Sequence, residues 1–267
     1  MDEKALVAAR DQLLHTAVEY FSMEPGVAAV FLGGSLAAGS WDAYSDIDLR
    51  VVVYNAKHRD FVDRRRDIPK SWPGFLFNEW VPGTQHCVSH FQPFGKIDIF
   101  YYDADLLAPS PWYGLPITVL YDPAGVVASL IERSKGLNFT VTDDDVDFSV
   151  SKGIAAAHEA FRRAHRGELF YAMSLLDELR QHMMQADDWL NHRTPETAVM
   201  AKFEKRASSS VVELFEVSYV ACEANMILKA LSMLAQKYRD QVVALHEMYG
   251  LSRKRSVDEQ ALSLVCE

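Results

Sequence analysis

The spacing of apolar and polar positions changes about halfway along the chain. In the first half, short apolar runs alternate with turn residues. In the second, apolar residues recur every three or four positions over long stretches. Residues 2–23 show the helical period through Leu6, Ala9, Leu13, Leu14, Ala17, Val18 and Phe21, and Pro25-Gly26 ends it. Residues 27–32 and 47–53 are unbroken apolar runs of strand length and read as buried strands. Residues 55–66 are polar and basic and predict a helix after a turn. Pro73-Gly74 and Pro82-Gly83 then punctuate the chain, so 75–81 and 85–92 are predicted strands joined by a turn. A third clear strand follows over 95–102, where Ile97, Ile99 and Tyr101 alternate with Asp98, Phe100 and Tyr102. A proline-rich loop over 106–116 carries Trp112 and Tyr113, aromatics suited to stacking on a base or to packing on the domain. Residues 117–121 predict one more strand. Residues 123–135 predict a short helix with proline in its first turn, closed by Gly136 and Asn138.

Strand patterns vanish after residue 140. Thr142 followed by Asp143-Asp144-Asp145 predicts a helix N-cap with acid in the first turn, where it complements the helix dipole. Helices are predicted over 148–165, 168–192 and 209–248. The last is too long for one ordinary helix and is expected to break near 236–240. The tail, 251–267, predicts a short helix or a frayed end. The fold class is therefore α+β: a mixed sheet with flanking helices over 1–140, then an all-α bundle over 141–267.

The candidate chemistry lies in residues 27–53. Gly33 and Gly34 between two strands let the backbone turn sharply and approach a ligand. Ser35 adds a hydroxyl and an N–H where a short helix would begin, an arrangement that attracts phosphate. Asp46 and Asp48 are two apart in a strand, so they share a face, roughly 6.5–7 Å apart. Ile47, Leu49 and Val51 take the other face. Two like charges held together call for a divalent cation. A phosphate cradle beside paired carboxylates points to metal-assisted phosphoryl or nucleotidyl transfer. Each piece alone has a plainer reading, since Gly-Gly-Ser is a common turn and Asp-Ile-Asp a common solvated strand start. The strength lies in both occurring in one strand–turn–strand context.

Gly34-Ser35, a ten-residue interval and Asp46-Ile47-Asp48 resemble the signature of the DNA polymerase β-type nucleotidyltransferase superfamily. Tyr44-Ser45 before Asp46 resembles its small antibiotic-modifying members. The helical second half is more loosely similar to the bundle of aminoglycoside and lincosamide nucleotidyltransferases, through residues 166–172 and 175–180. The resemblance implies a third carboxylate on a neighbouring strand. Asp98 is the choice, because a carboxylate inside an apolar strand is costly without a compensating role. Pairing with Lys96 at a sheet edge is its plainer reading, and Glu79 is the rival. The implied site is Asp46, Asp48 and Asp98 as catalytic metal ligands for two Mg²⁺ ions. Gly33, Gly34 and Ser35 hold the triphosphate of ATP or another NTP. A hydroxyl attacks the α-phosphorus and pyrophosphate leaves. Some members use a further carboxylate as general base; Glu168 and Asp177, expected early in the second bundle helix, are candidates whose plainer reading is a solvated or paired helix carboxylate.

Composition narrows the partners. Hydrophobic content is 49% and charged content 24%, ordinary for a chain with a real core. No stretch approaches the roughly 18 apolar residues of a membrane span, and the N-terminus is charged and amphipathic, so no membrane partner and a cytoplasmic location are expected. Cys87, Cys222 and Cys266 have no paired spacing and suit neither a disulfide framework nor a zinc site. Net charge is −10, which argues against a nucleic-acid partner and suits a small cationic acceptor. Arg64-Arg65-Arg66 would reach a phosphate tail, though charge runs usually form solvated faces. The nine histidines form no metal-spaced group; His86 and His90 fall four apart in a predicted strand, roughly 13 Å. There is no G-x-S-x-G elbow and no Walker loop.

The leading reading is a metal-dependent enzyme that transfers NMP, AMP for preference, from an NTP to a hydroxyl of a small cationic molecule such as an aminoglycoside-type antibiotic. The same chemistry on a protein or tRNA is an alternative, and a regulator or antitoxin-like binding protein on this fold is another. An intact Asp46–Asp48 pair argues against a degenerate regulator. A homodimer is implied only by the resemblance.

Overall fold

In β1 (Val27–Leu32) all six side chains are buried, because the strand sits inside a sheet and is covered on both faces. The chain is described by a computed structural model covering residues 2–193 and 199–266. It divides into two compact units, Met1–Asn138 and Phe139–Glu267.

The first unit begins with α1 (Glu3–Met23), whose N-terminus is capped by the Asp2 carboxylate accepting from Lys4 N–H. After β1 come α2 (Gly34–Ala38), β2 (Ile47–Val53) and α3 (Asn55–Arg64). β3 (Phe75–Glu79), β4 (His86–Phe91), β5 (Gly95–Asp103) and β6 (Thr118–Tyr121) complete a six-stranded sheet, and α4 (Val126–Ser134) ends the unit. Strand order is β3-β4-β5-β2-β1-β6. The β2–β5 pair is parallel and all the others are antiparallel, so the sheet is mixed as expected.

Alternation sorts the strand residues onto two faces. Ile47, Leu49, Val51, Ile97, Ile99 and Tyr101 pack against Leu13, Ala17 and Phe21 of α1 and Phe61 of α3. On the opposite face, Ala29, Phe31 and Val52 pack with Val127 of α4. Farther along that second face β2 and β5 present Asp48, Arg50, Lys96, Asp98 and Phe100. Two boundaries depart from expectation. Pro123 lies before α4 rather than in its first turn, and the Asp122 carboxylate caps the helix by accepting from Val126, Val127 and Ala128 N–H. β5 runs one residue past the predicted strand end, to buried Asp103, which accepts from Asn55 Nδ2 at 2.6 Å.

The second unit consists of α5 (Asp143–His165), α6 (Leu169–Leu190), α7 (Phe203–Arg206), α8 (Ser209–Ser218), α9 (Ala224–Met248) and α10 (Arg255–Ser263). Thr142 and Asp145 form the reciprocal capping box of α5. Its core joins α5, α6 and α9 through Val150, Leu176, Leu179, Ile227, Leu231 and Leu234. Gly153 lets α5 approach α9 closely, since a Cβ there would meet the buried ring of Tyr238. The long predicted helix breaks at 219–223, not at 236–240. The cause is Arg180, fully buried on α6. It donates to the Ser218 hydroxyl and carbonyl, lies 3.9 Å from the Tyr219 ring, and so fixes α8 at its last turn. Residues 236–240 remain helical because Tyr238 and Gln241 are buried core residues of α9. Among the described residues no helix is long and apolar enough to cross a membrane.

Candidate active site

Antiparallel pairing of β1 with β2 places Leu32 opposite Leu49, and Gly33 N–H then donates to the Asp48 carbonyl at 3.1 Å. The end of β1 is thereby fixed beside the second aspartate. Gly34 takes the left-handed conformation, φ 62°, and a Cβ at that position would collide with Asp48 Oδ2. Backbone and space both require glycine here. Ser35 follows in α2, and its carbonyl accepts from Ser40 N–H at 3.1 Å as the turn closes.

The loop between cradle and β2 is held by its own polar residues. Ser45 Oγ accepts from Asp42 N–H at 2.9 Å, and Asp42 Oδ1 accepts from Tyr44 N–H at 2.9 Å. Buried Arg10 of α1 donates to the Asp42 carbonyl at 3.0 Å. These bonds deliver Asp46 to the mouth of β2, one residue before the strand begins.

The parallel pairing of β2 with β5 supplies the third carboxylate. Asp48 and Asp98 are direct register partners, so their side chains leave the same face of adjacent strands. Lys96 Nζ stands between two of the acids, 2.8 Å from Asp46 Oδ2 and 3.2 Å from Asp98 Oδ1. Arg50 Nη1 is 3.2 Å from Asp48 Oδ1. Three carboxylates are thus gathered around two cations, all drawn from β2, β5 and the residue just before β2. Burial pushes the Asp98 carboxyl above the usual carboxylate range; Lys96 opposes the shift, while Asp46 and Asp48 reinforce it. Burial acts to lower the Lys96 ammonium, but Asp46 and Asp98 outweigh it and hold Lys96 above the ordinary lysine value. Asp98 Oδ1 is buried and, despite the nearby ammonium, accepts no hydrogen bond.

Among the described residues no group of three or more His, Cys, Asp or Glu side chains forms a ready-made ion-binding cluster. Lys96 and Arg50 lie between the acids instead. The donors nonetheless fit a hard divalent cation. All three are carboxylates, one buried oxygen accepts no hydrogen bond, and glycine leaves space against Asp48 Oδ2.

Within the sheet unit, Glu79 is not brought to this cluster. Glu79 ends β3 and pairs in register with Val88, which pairs with Asp98. That places it two strands away, about 10 Å by strand spacing, where its Oε2 is 3.4 Å from His90 Nε2. Glu168 is the N-cap of α6 and is bound by Arg163 at 2.6 Å. Asp177 lies well inside α6, past its first turn, and is bound by Arg180 at 2.6 Å. Arg64 pairs with Asp60 and Glu24, and Arg66 lies over the Trp80 ring. Tyr113 packs on Phe31. His86 and His90 stack on Phe100 and Phe77 respectively. A cavity of about 300 Å³ at the β3 edge is lined by Leu76, Phe77, Phe91, Pro93 and Phe94 among others and contains no carboxylate. Arg50 was not singled out by the sequence reading. The available signal was its place two residues after Asp48, on the same face of a strand.

Residues 14–74 match a family model described as a nucleotidyltransferase domain. The match takes in the cradle and the Asp46–Asp48 pair and stops before Asp98. Two solved structures are similar over almost the whole chain. An aminoglycoside 6-adenyltransferase from Bacillus subtilis is 11% identical, with 96% of this chain and 98% of that chain covered and a TM-score of 0.45. A nucleotidyltransferase-like protein from Exiguobacterium sibiricum is 13% identical, with 96% and 86% covered and a TM-score of 0.43. No curated protein matches. The resemblance drawn from the Gly-Ser and Asp-Ile-Asp motifs is borne out by the family model: the residues that carry them lie within a match to a nucleotidyltransferase domain.

Proposed function

We propose that this chain transfers a nucleoside monophosphate, AMP by preference, from an NTP to a hydroxyl of a small cationic molecule, with aminoglycoside-type antibiotics as the first class to try. The observation that supports it is the in-register pair Asp48 and Asp98 on adjacent strands, with Lys96 reaching both Asp46 and Asp98 and with Asp48 beside the Gly33–Gly34 turn. Asp46, Asp48 and Asp98 would hold divalent cations, two Mg²⁺ ions in the full set; when bound, these neutralise phosphate charge and make the acceptor hydroxyl a better nucleophile. Gly33, Gly34 and Ser35 receive the triphosphate tail, with backbone allowed close by the missing Cβ at Gly34. The acceptor hydroxyl releases its proton to solvent as its oxygen forms a bond to the α-phosphorus, the α–β bridging P–O bond breaks, and pyrophosphate leaves. The protein's share is positioning and charge stabilisation. The sheet unit, within residues 1–140, handles the nucleotide, and we assign acceptor binding to the helical region, 141–267. The net charge of −10 favours a cationic acceptor.

The test is pyrophosphate release with Mg²⁺ and each of the four NTPs against a panel of aminoglycosides and lincosamides. The expected result is acceptor-dependent release from the wild type and a loss of roughly 10³-fold in Asp48→Asn. Release that survives Asp48→Asn unchanged would remove the carboxylates from the reaction. Mg²⁺·NTP binding without turnover on any acceptor would favour a regulatory protein.

A further inference from the structure

Arg50 occupies a place that its ion pair with Asp48 does not fully explain. It lies two residues after Asp48 on β2 and directly opposite Phe100 in the parallel register. That register lays the guanidinium over the Phe100 ring, 4.7 Å from its centroid. Phe100 is supported in turn by His86 of β4, stacked on it at 5.1 Å. The guanidinium also lies against the cradle, where a Cβ on Gly33 would be 3.3 Å from Arg50 Cζ. The side chain is only 19% exposed. Nη1 is buried and lies 3.2 Å from Asp48 Oδ1, yet it donates no hydrogen bond. A charged donor held in that state costs free energy that an incoming oxygen anion would recover.

We propose that Arg50 is a binding residue for the polyphosphate tail of the nucleotide, with Phe100 as the plate that fixes the plane of its guanidinium. The proposal rests on the nucleotidyltransfer reading above and adds a residue to it. A planar fork of N–H donors matches phosphate oxygens, and stacking on an aromatic face holds it ready with little further ordering. The pair with Asp48 gives the guanidinium a resting partner. Once Asp48 turns to another cation, the arginine is free for phosphate, so charge in the site is exchanged rather than left uncompensated.

The experiment is calorimetric titration of the full chain with inorganic tripolyphosphate and with each of the four NTPs, all with Mg²⁺. The proteins are wild type, Arg50→Gln, Arg50→Lys and Phe100→Leu, with folding checked by circular dichroism. Arg50→Gln is expected to weaken tripolyphosphate and the preferred NTP by roughly 10- to 100-fold. Arg50→Lys should recover only part of that, because an ammonium lacks the fork. Phe100→Leu should fall between wild type and Arg50→Gln, and it carries the test if Arg50→Gln does not fold. Mn²⁺ binding without nucleotide, read by electron paramagnetic resonance, should stay level or tighten in Arg50→Gln because Asp48 is released. If wild type binds NTPs and the variants bind tripolyphosphate as tightly, the arginine proposal is overturned and the nucleotidyltransfer reading stands. If Mn²⁺ binding falls in step with tripolyphosphate binding, Arg50 only positions Asp48 and the proposal is again overturned. Absence of both NTP and tripolyphosphate binding in the wild type would sink both readings.

Discussion

Buried Asp187 of the helical unit and half-buried Asp98 of the sheet unit are treated in opposite ways. In the helical unit, Asp187 accepts from Ser208 N–H at 3.0 Å and from Ser208 Oγ at 2.7 Å, and Arg193 sits 2.6 Å away. Burial acts to raise its pKa, but the Ser208 bonds and Arg193 outweigh burial and hold Asp187 below the usual carboxylate range. Asp188 is closed by Arg193 and Arg206, and Asp258 by Arg253 and His246. In the sheet unit, Asp98 has one lysine nearby, two other acids around it and a buried oxygen without a hydrogen bond, and its pKa is raised. A saturated carboxylate serves the fold. An unsaturated one stores a capacity to bind, and the fold gives up some stability to hold it there.

Asp188→Ala should produce the largest effect on stability, a loss of about 3 kcal/mol in denaturant melts, because Arg193 and Arg206 are left facing a site built for a carboxylate. A loss below about 1 kcal/mol would mean that the arginines relax into water and that the network is worth no more than a surface pair.

Acid unfolding comes next in size. The folded pKa of Asp187 lies below its unfolded value, so the unfolded chain binds more protons in the window between them. Stability from this group is present above about pH 4, the unfolded value, and is lost as pH falls through the folded one. Asp187→Asn should flatten the acid limb of a stability-against-pH curve below about pH 4, while the wild type keeps a steep limb. Parallel limbs would remove Asp187 from the acid response.

The smallest effect has the opposite sign. The folded pKa of Asp98 is raised, so its stability contribution is present below the unfolded value and is lost as pH rises through the folded one. At neutral pH the ionised group therefore weighs against folding. Asp98→Asn should raise thermal stability in EDTA by at most about 1 kcal/mol, although the same change is expected to abolish nucleotidyl transfer. A clear drop in melting temperature would show that the Lys96 pair stabilises the fold and would erase the contrast with Asp187.

Much of the sheet unit was legible along the chain. β1 and β2 run over the residues that their apolar runs predict, and the glycine turn falls between them. Thr142 caps α5 because capping chemistry needs only the next three residues. The break in the long C-terminal helix was misplaced because its cause is not local: Arg180, 38 positions before Ser218, ends α8 from another helix. Glu168 and Asp177 carry no sequence sign that arginines already hold them. Arg50 was passed over because its significance depends on Phe100, which no neighbouring residue announces.

By itself the sequence determined the α+β class, the Gly33–Gly34–Ser35 turn and the Asp46–Asp48 pair, since periodicity and turn chemistry act over a few residues. Tertiary structure decided the rest. A parallel strand pair has no turn to reveal its register, and only the β2–β5 alignment sets Asp98 beside Asp48 and lays Arg50 on Phe100. The opposite pKa directions of Asp98 and Asp187 were decided there too. Burial and charge neighbours come from segments far apart in the chain, and those two quantities determine whether a carboxylate is settled or left available to bind.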